Sequence, residues 1–139
     1  MGFGKAVAVM LLALCAAAQS NLTFKTRLSP VALDAAMKAN VAGVGSVSAT
    51  LAGTKLVISG TFEGLPSPAT EAQIRQGSAA GVRGTAILDL TVSKAMNGNV
   101  SGSFDLTAEQ IDSLKKGKWY VQIDSEKAPQ GNLWGWLLK

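Results

Sequence analysis

The side chains that most often do chemistry in a small protein are scarce in this chain. Histidine is absent, and Cys15 is the single cysteine. A structural zinc site needs Cys or His ligands. A Ser-His-Asp or Cys-His system needs an imidazole base. Haem and iron–sulfur ligation lack their usual donors as well. What remains are carboxylates, amides, cations and aromatics. Trp134 and Trp136 stand two apart near the C-terminus, so on a strand they share a face. Aromatic platforms of that kind stack on sugar rings and anchor protein contacts. Asn21-Leu22-Thr23 and Asn99-Val100-Ser101 are N-glycosylation sequons, relevant only in a eukaryotic host. The net charge is +4, and Lys115, Lys116 and Lys118 form the one tight basic cluster. A nucleic-acid binder shows a denser basic stripe with interleaved aromatics, so no nucleic-acid partner is expected. Gly77-Ser78-Ala79-Ala80-Gly81 is no phosphate loop, because no Lys-Ser/Thr follows it and it opens no helix.

The elements that must position these residues are mostly strands. Leu22–Leu28, Val44–Leu51 and Lys55–Phe62 each alternate apolar and polar residues, and Ala52-Gly53-Thr54 joins the last two as a hairpin. Leu65-Pro66-Ser67-Pro68 must be irregular, since two prolines cannot serve a central strand. Thr70–Gln76 and Gly84–Val92 read as further strands, and Asn97-Gly98 reads as a tight turn into Val100–Leu106. One short helix near 107–116 is well signalled. Thr107 and Gln110 form a capping box, Leu106 and Ile111 a hydrophobic staple, and Gly117 a stop. Lys118–Asp124 follows as a strand with Trp119, Val121 and Ile123 on one face and Tyr120, Gln122 and Asp124 on the other. Ala128-Pro129-Gln130-Gly131 reads as a turn into a last strand, Asn132–Leu138. Seven or eight short strands with one helix predict an all-β protein, an antiparallel β-sandwich.

Residues 1–18 have the pattern of a signal peptide. Lys5 forms a basic n-region, Ala6–Leu14 an apolar core of nine residues, and Ala16, Ala17 and Ala18 the small residues at the cleavage positions. The apolar run is too short to span a bilayer. Residues 19–139 then form one mature domain with no Cys and no His, secreted or periplasmic. Acylation of Cys15 as a lipoprotein is an alternative, although Leu14 stands where a small residue is wanted. A buried N-terminal helix is another.

The ordered blocks Gly60-Thr61-Phe62-Glu63-Gly64-Leu65, Ala69–Gly77, Leu106–Gln110, Tyr120–Ile123 and Pro129–Leu137 resemble the CHRD domain family. That module is repeated in chordin and occurs alone in many secreted bacterial proteins. The resemblance covers about residues 23–138. It implies a Greek-key β-sandwich, similar in shape to copper–zinc superoxide dismutase and to immunoglobulin-like domains, with molecular function generally unassigned. It also implies where the chain departs from pattern. Relatives usually carry His-x-His where Gln73 and Arg75 stand, and another His where Asp124 stands. Three imidazoles could hold copper or zinc, whereas a guanidinium repels a cation and offers no lone pair.

The expectations are therefore no cofactor, no metal and no catalysis. If the replaced positions converge, Arg75 and Asp124 form an ion pair on an outward face; otherwise both are solvated. If Leu133 and Leu137 face the core, Trp134 and Trp136 face outward, either exposed or covered by a loop or the N-terminal segment. The chain reads as a secreted structural or protein-interaction module. The alternative is a glycan- or surface-binding module using Tyr120, Trp134 and Trp136. A degenerate metal-site enzyme is the remote third reading.

Overall fold

The computed structural model describes residues 21–32 and 34–139. The expected signal peptide, its cleavage near Gln19 and the fate of Cys15 all lie outside the described residues. The strands are β1 (Asn21–Leu28), β2 (Val44–Ala52), β3 (Lys55–Glu63), β4 (Ala69–Gln76), β5 (Thr85–Val92), β6 (Gly98–Asp105), β7 (Trp119–Ser125) and β8 (Ala128–Trp136). One α-helix, α1 (Ala108–Lys115), lies between β6 and β7, and a 3-10 turn, Ala35–Ala39, between β1 and β2. No helix among the described residues is long and apolar enough to cross a membrane.

All strand pairs are antiparallel, in the order β1-β2-β3-β6-β5-β4-β7-β8. The meander β4-β5-β6 is flanked by β3 beside β6 and by β7 beside β4. Each flank is a Greek-key arrangement. The sheet curls until its two ends meet: Ser29 and Trp134 exchange backbone hydrogen bonds at 3.0 Å, and Lys25 pairs with Leu138. β5 and β6 pair only at Thr91–Ser101 and Val92–Val100, so the curled sheet has two halves.

The core fills the curl. Alternation delivers Phe24 and Leu28, Val47, Ala49 and Leu51, and Leu56, Ile58 and Phe62 from β1, β2 and β3. Ile74, Val121, Ile123 and Leu133 arrive from the other half, and Trp119 seals one end. At α1 the Thr107 hydroxyl accepts from the Gln110 amide and the Gln110 side chain accepts from the Thr107 amide, completing the expected capping box. Leu114 anchors the helix in the core, and Gly117 ends it at φ +74°.

Two turns differ from expectation. Asn97-Gly98 is not a tight turn. Gly98 already pairs with Phe62 in β6, and the connection is the loop Ser93–Asn97. The Asn97 side chain instead accepts from the Gly64 amide at 2.8 Å, so a long-range bond outcompetes the local turn. Likewise the last reversal is at Glu126 and Lys127, and Ala128 opens β8 opposite Ser125. Pro129 is tolerated there because the Gln130 and Pro129 end of β8 is exposed.

Candidate functional site

β7 is buried along its whole length, on both faces. One face enters the main core. The other carries Tyr120, Gln122 and Asp124, with Gln73 beside Gln122 on β4 and Trp134 beside it on β8. This second face is roofed by a small cluster: Met37 from the 3-10 turn, Tyr120 and Trp134, with Ala32, Val41 and Trp136 packed around them. Asp34 caps the turn through its side chain on the Met37 amide and so holds the roof down. The Arg83 guanidinium lies 4.2 Å from the centre of the Trp134 ring. Gly131, at φ +122°, lies beneath that ring, and a Cβ there would collide with it.

The polar groups of this face form a chain. Trp134 Nε1 donates to Gln122 Oε1 at 2.8 Å. Gln122 Nε2 donates to Asp124 Oδ1 at 2.7 Å, and Gln73 Nε2 donates to Asp124 Oδ2 at 3.1 Å. A carboxylate only accepts, so both amides must turn their NH2 groups towards it. Gln73 Nε2 also reaches Glu71 Oε2 at 3.2 Å. Arg75 donates through Nε and Nη2 to the Gly84 carbonyl at 3.2 and 2.9 Å. The Tyr120 hydroxyl accepts from the Gly84 amide at 3.0 Å and fixes the same loop. Beside this network lies a cleft of about 460 Å³, with Glu71 and Asp124 among its acidic lining and Arg75 and Arg83 among its basic lining.

Burial pushes the Asp124 carboxyl above its ordinary range. The Gln122 and Gln73 donors pull it back, the Glu71 charge pushes it further up, and Arg75 opposes weakly.

The sequence-derived residues thus meet, but not as expected. Gln73, Arg75, Tyr120 and Asp124 do line one cleft, and Trp134 joins them through its hydrogen bond to Gln122. The Arg75–Asp124 ion pair is not formed. Arg75 pairs with Tyr120 in register and Asp124 with Glu71, and Arg75 donates to the Gly84 carbonyl and, at 3.4 Å, to Gln73 Oε1. The only salt bridge among the described residues is Lys116–Asp112 on α1. Asp124 is buried at 5 % exposure rather than lying on an open face. The exposed aromatic platform is also overturned. Trp134 is 6 % and Tyr120 1 % exposed, and Trp136 is half-buried with its ring 4.5 Å from that of Tyr120. The sequon residues Asn21 and Asn99 are exposed.

Three participants were missed from sequence. Alternation places Gln122, the hub, on the right face, but nothing in its type or spacing marks it as the centre of a network. Met37 carries the Asp34 cap signal three residues earlier. Arg83 lies in a loop that has no periodicity to read.

The donor set does not fit the copper or zinc that the resemblance implies for His-bearing relatives. The Asp124 oxygens face two amide N–H groups, and Arg75 and Arg83 bring positive charge to the cleft. Among the described residues no three His, Cys, Asp or Glu residues gather closely enough to hold a metal ion.

Comparison with known proteins gives one match: the family model for the CHRD domain fits residues 19–137. No curated protein and no solved structure matches the chain.

Proposed function

This chain belongs to the CHRD domain family, and from that premise we propose that it is an exported, non-catalytic module with a structural or protein-interaction role. The observation that supports the non-catalytic reading is the use made of Asp124. A general acid or base must reach a proton on a substrate. Both Asp124 oxygens are already held by amide donors, one of them tied in turn to the Trp134 indole. No buried side-chain polar atom among the described residues lacks a partner. The network thus joins β4, β7 and β8 and engages both Asp124 oxygens in holding them together, which supports a structural use of this carboxylate. CHRD domains are typically extracellular, which supports export.

Mass spectrometry of the protein recovered outside the cytoplasm tests export. The expected chain begins near Gln19; material retaining Met1–Ala18 overturns it. Elemental analysis of the same material after dialysis tests the rest. No stoichiometric copper or zinc is expected, and one tightly held ion per chain would defeat the non-catalytic reading.

A further inference from the structure

The outer face of the β1–β2–β3 half carries a second recess, of about 860 Å³, that the network above does not touch. Its floor is set by register. Lys25, Ser48 and Ser59 lie in one row across three strands, and Arg27, Ser46 and Thr61 lie in the next. Neighbours in a row are about 4.8 Å apart, and the rows about 7 Å apart along the strands. On the inner face at this level Gly60 has no Cβ to hold β3 off its neighbour, and one built there would strike the Ser46 carbonyl. The strands can therefore approach closely where the recess forms.

Two features mark this face as a ligand surface. The hydroxyls of Ser46, Ser48, Ser59 and Thr61 stand in two adjacent rows and make no hydrogen bond to a described residue, which leaves them open to a ligand. Lys25 and Arg27 are exposed, project from the same face, and meet no carboxylate among the described residues. Glu63 stands at the far end of the recess.

We propose that this recess binds an acidic polysaccharide, with Lys25 and Arg27 on its carboxylate or sulfate groups and the hydroxyl rows on its sugar hydroxyls. Hydroxyl side chains both donate and accept, as sugar hydroxyls do. The face has no aromatic side chain on which a base could stack. Two cations are too few to hold a polynucleotide or a lipid surface by charge alone. The proposal rests on the exported reading above, because such polymers lie outside the cytoplasm.

Affinity electrophoresis of the purified chain through gels containing polygalacturonate, heparin or neutral dextran tests it. The two acidic polymers separate the uronate from the sulfate source. Retardation by at least one of them, and none by dextran, is the expected result. The Lys25→Glu/Arg27→Glu variant is expected to bind about tenfold more weakly or worse. Lys94→Glu/Lys115→Glu carries the same change in net charge elsewhere on the surface and is expected to bind as wild type. Matching thermal midpoints for both variants exclude misfolding. Equal loss in the two variants, tighter binding to duplex DNA, or no retardation by either acidic polymer overturns the proposal. Export is read separately by mass spectrometry, so failure of the recess leaves that reading standing.

Discussion

The two halves of the curled sheet treat their outer faces differently. In β3 the pattern is one residue in, one residue out: Leu56, Ile58 and Phe62 are buried, while Val57, Ser59 and Thr61 are exposed. In β7 every residue is buried. Both strands obey the period of two. The difference is that β7 and β8 are covered from outside by the 3-10 turn, through Met37, and by the loop carrying Arg83. A covered outer face must be apolar or fully hydrogen-bonded, because a buried unpaired polar group is costly. Here it is both: aromatic rings above, an amide–carboxylate chain below. An uncovered face can be short hydroxyls, free to meet a ligand.

That contrast can be broken most forcefully at Trp134. Trp134→Ala removes most of the roof and is expected to cost about 3 kcal/mol or more. Val57→Ala, on the open face of the other half, is expected to stay within about 0.5 kcal/mol. Urea unfolding of both variants measures the difference, and equal costs would erase the distinction between the halves. Gln122→Ala is next. It leaves the Trp134 indole N–H without its acceptor and takes a donor from Asp124, for about 2 kcal/mol. A neutral result at this position would mean that water replaces the amide and that the face is wetter than its burial implies.

The same contrast explains what could be read in advance. The open half was legible almost residue by residue, because one face meets the core and the other meets water, and alternation reports that directly. The capping box at Thr107 and Gln110 was legible for a similar reason: both partners are three residues apart. The covered half was legible only in part. Alternation put Tyr120, Gln122 and Asp124 on one face and Trp134 and Trp136 on another, and the structure brings those faces together. It could not say that a segment a hundred residues earlier would lie over them. Nor could it show that Arg75 would prefer the Gly84 carbonyl to Asp124. The antiparallel register of β4 and β7 sets Glu71 opposite Asp124 and Arg75 opposite Tyr120, and which residues of two distant strands pair leaves no mark in the alternation of either one.

A milder probe of the roof is Arg83→Ala. A cation over an indole at a partly exposed site contributes about 0.5–1 kcal/mol. The loss should open the Trp134 ring face to solvent, so acrylamide quenching of tryptophan fluorescence is expected to rise while the fold stays intact. Unchanged quenching would show that Met37 and Gly131 alone seal the ring.

The finest test asks whether the covered face behaves electrostatically as an interior. Burial raises the Asp124 carboxyl above 3.8, and its two amide donors oppose that without cancelling it. The native state therefore binds the Asp124 proton more tightly than the unfolded chain does. The stabilisation from that proton is complete below about pH 3.8 and is lost as pH rises through the native value. Asp124→Asn removes this dependence. It also adds an offset, because an asparagine offers one oxygen and one NH2 where two amide donors point. Gln122 is pinned by Trp134, so Gln73 must turn, losing its bond to Glu71 and the one it accepts from Arg75. The slope, not the level, carries the information. Asp112, held below its ordinary range by Lys116, titrates alike in both proteins and drops out of the difference. From about pH 7 down to about pH 4, wild type is expected to gain stability relative to Asp124→Asn in urea midpoints. A loss would mean that the two amide donors outweigh burial, and that this face is interior in packing but not in its treatment of charge.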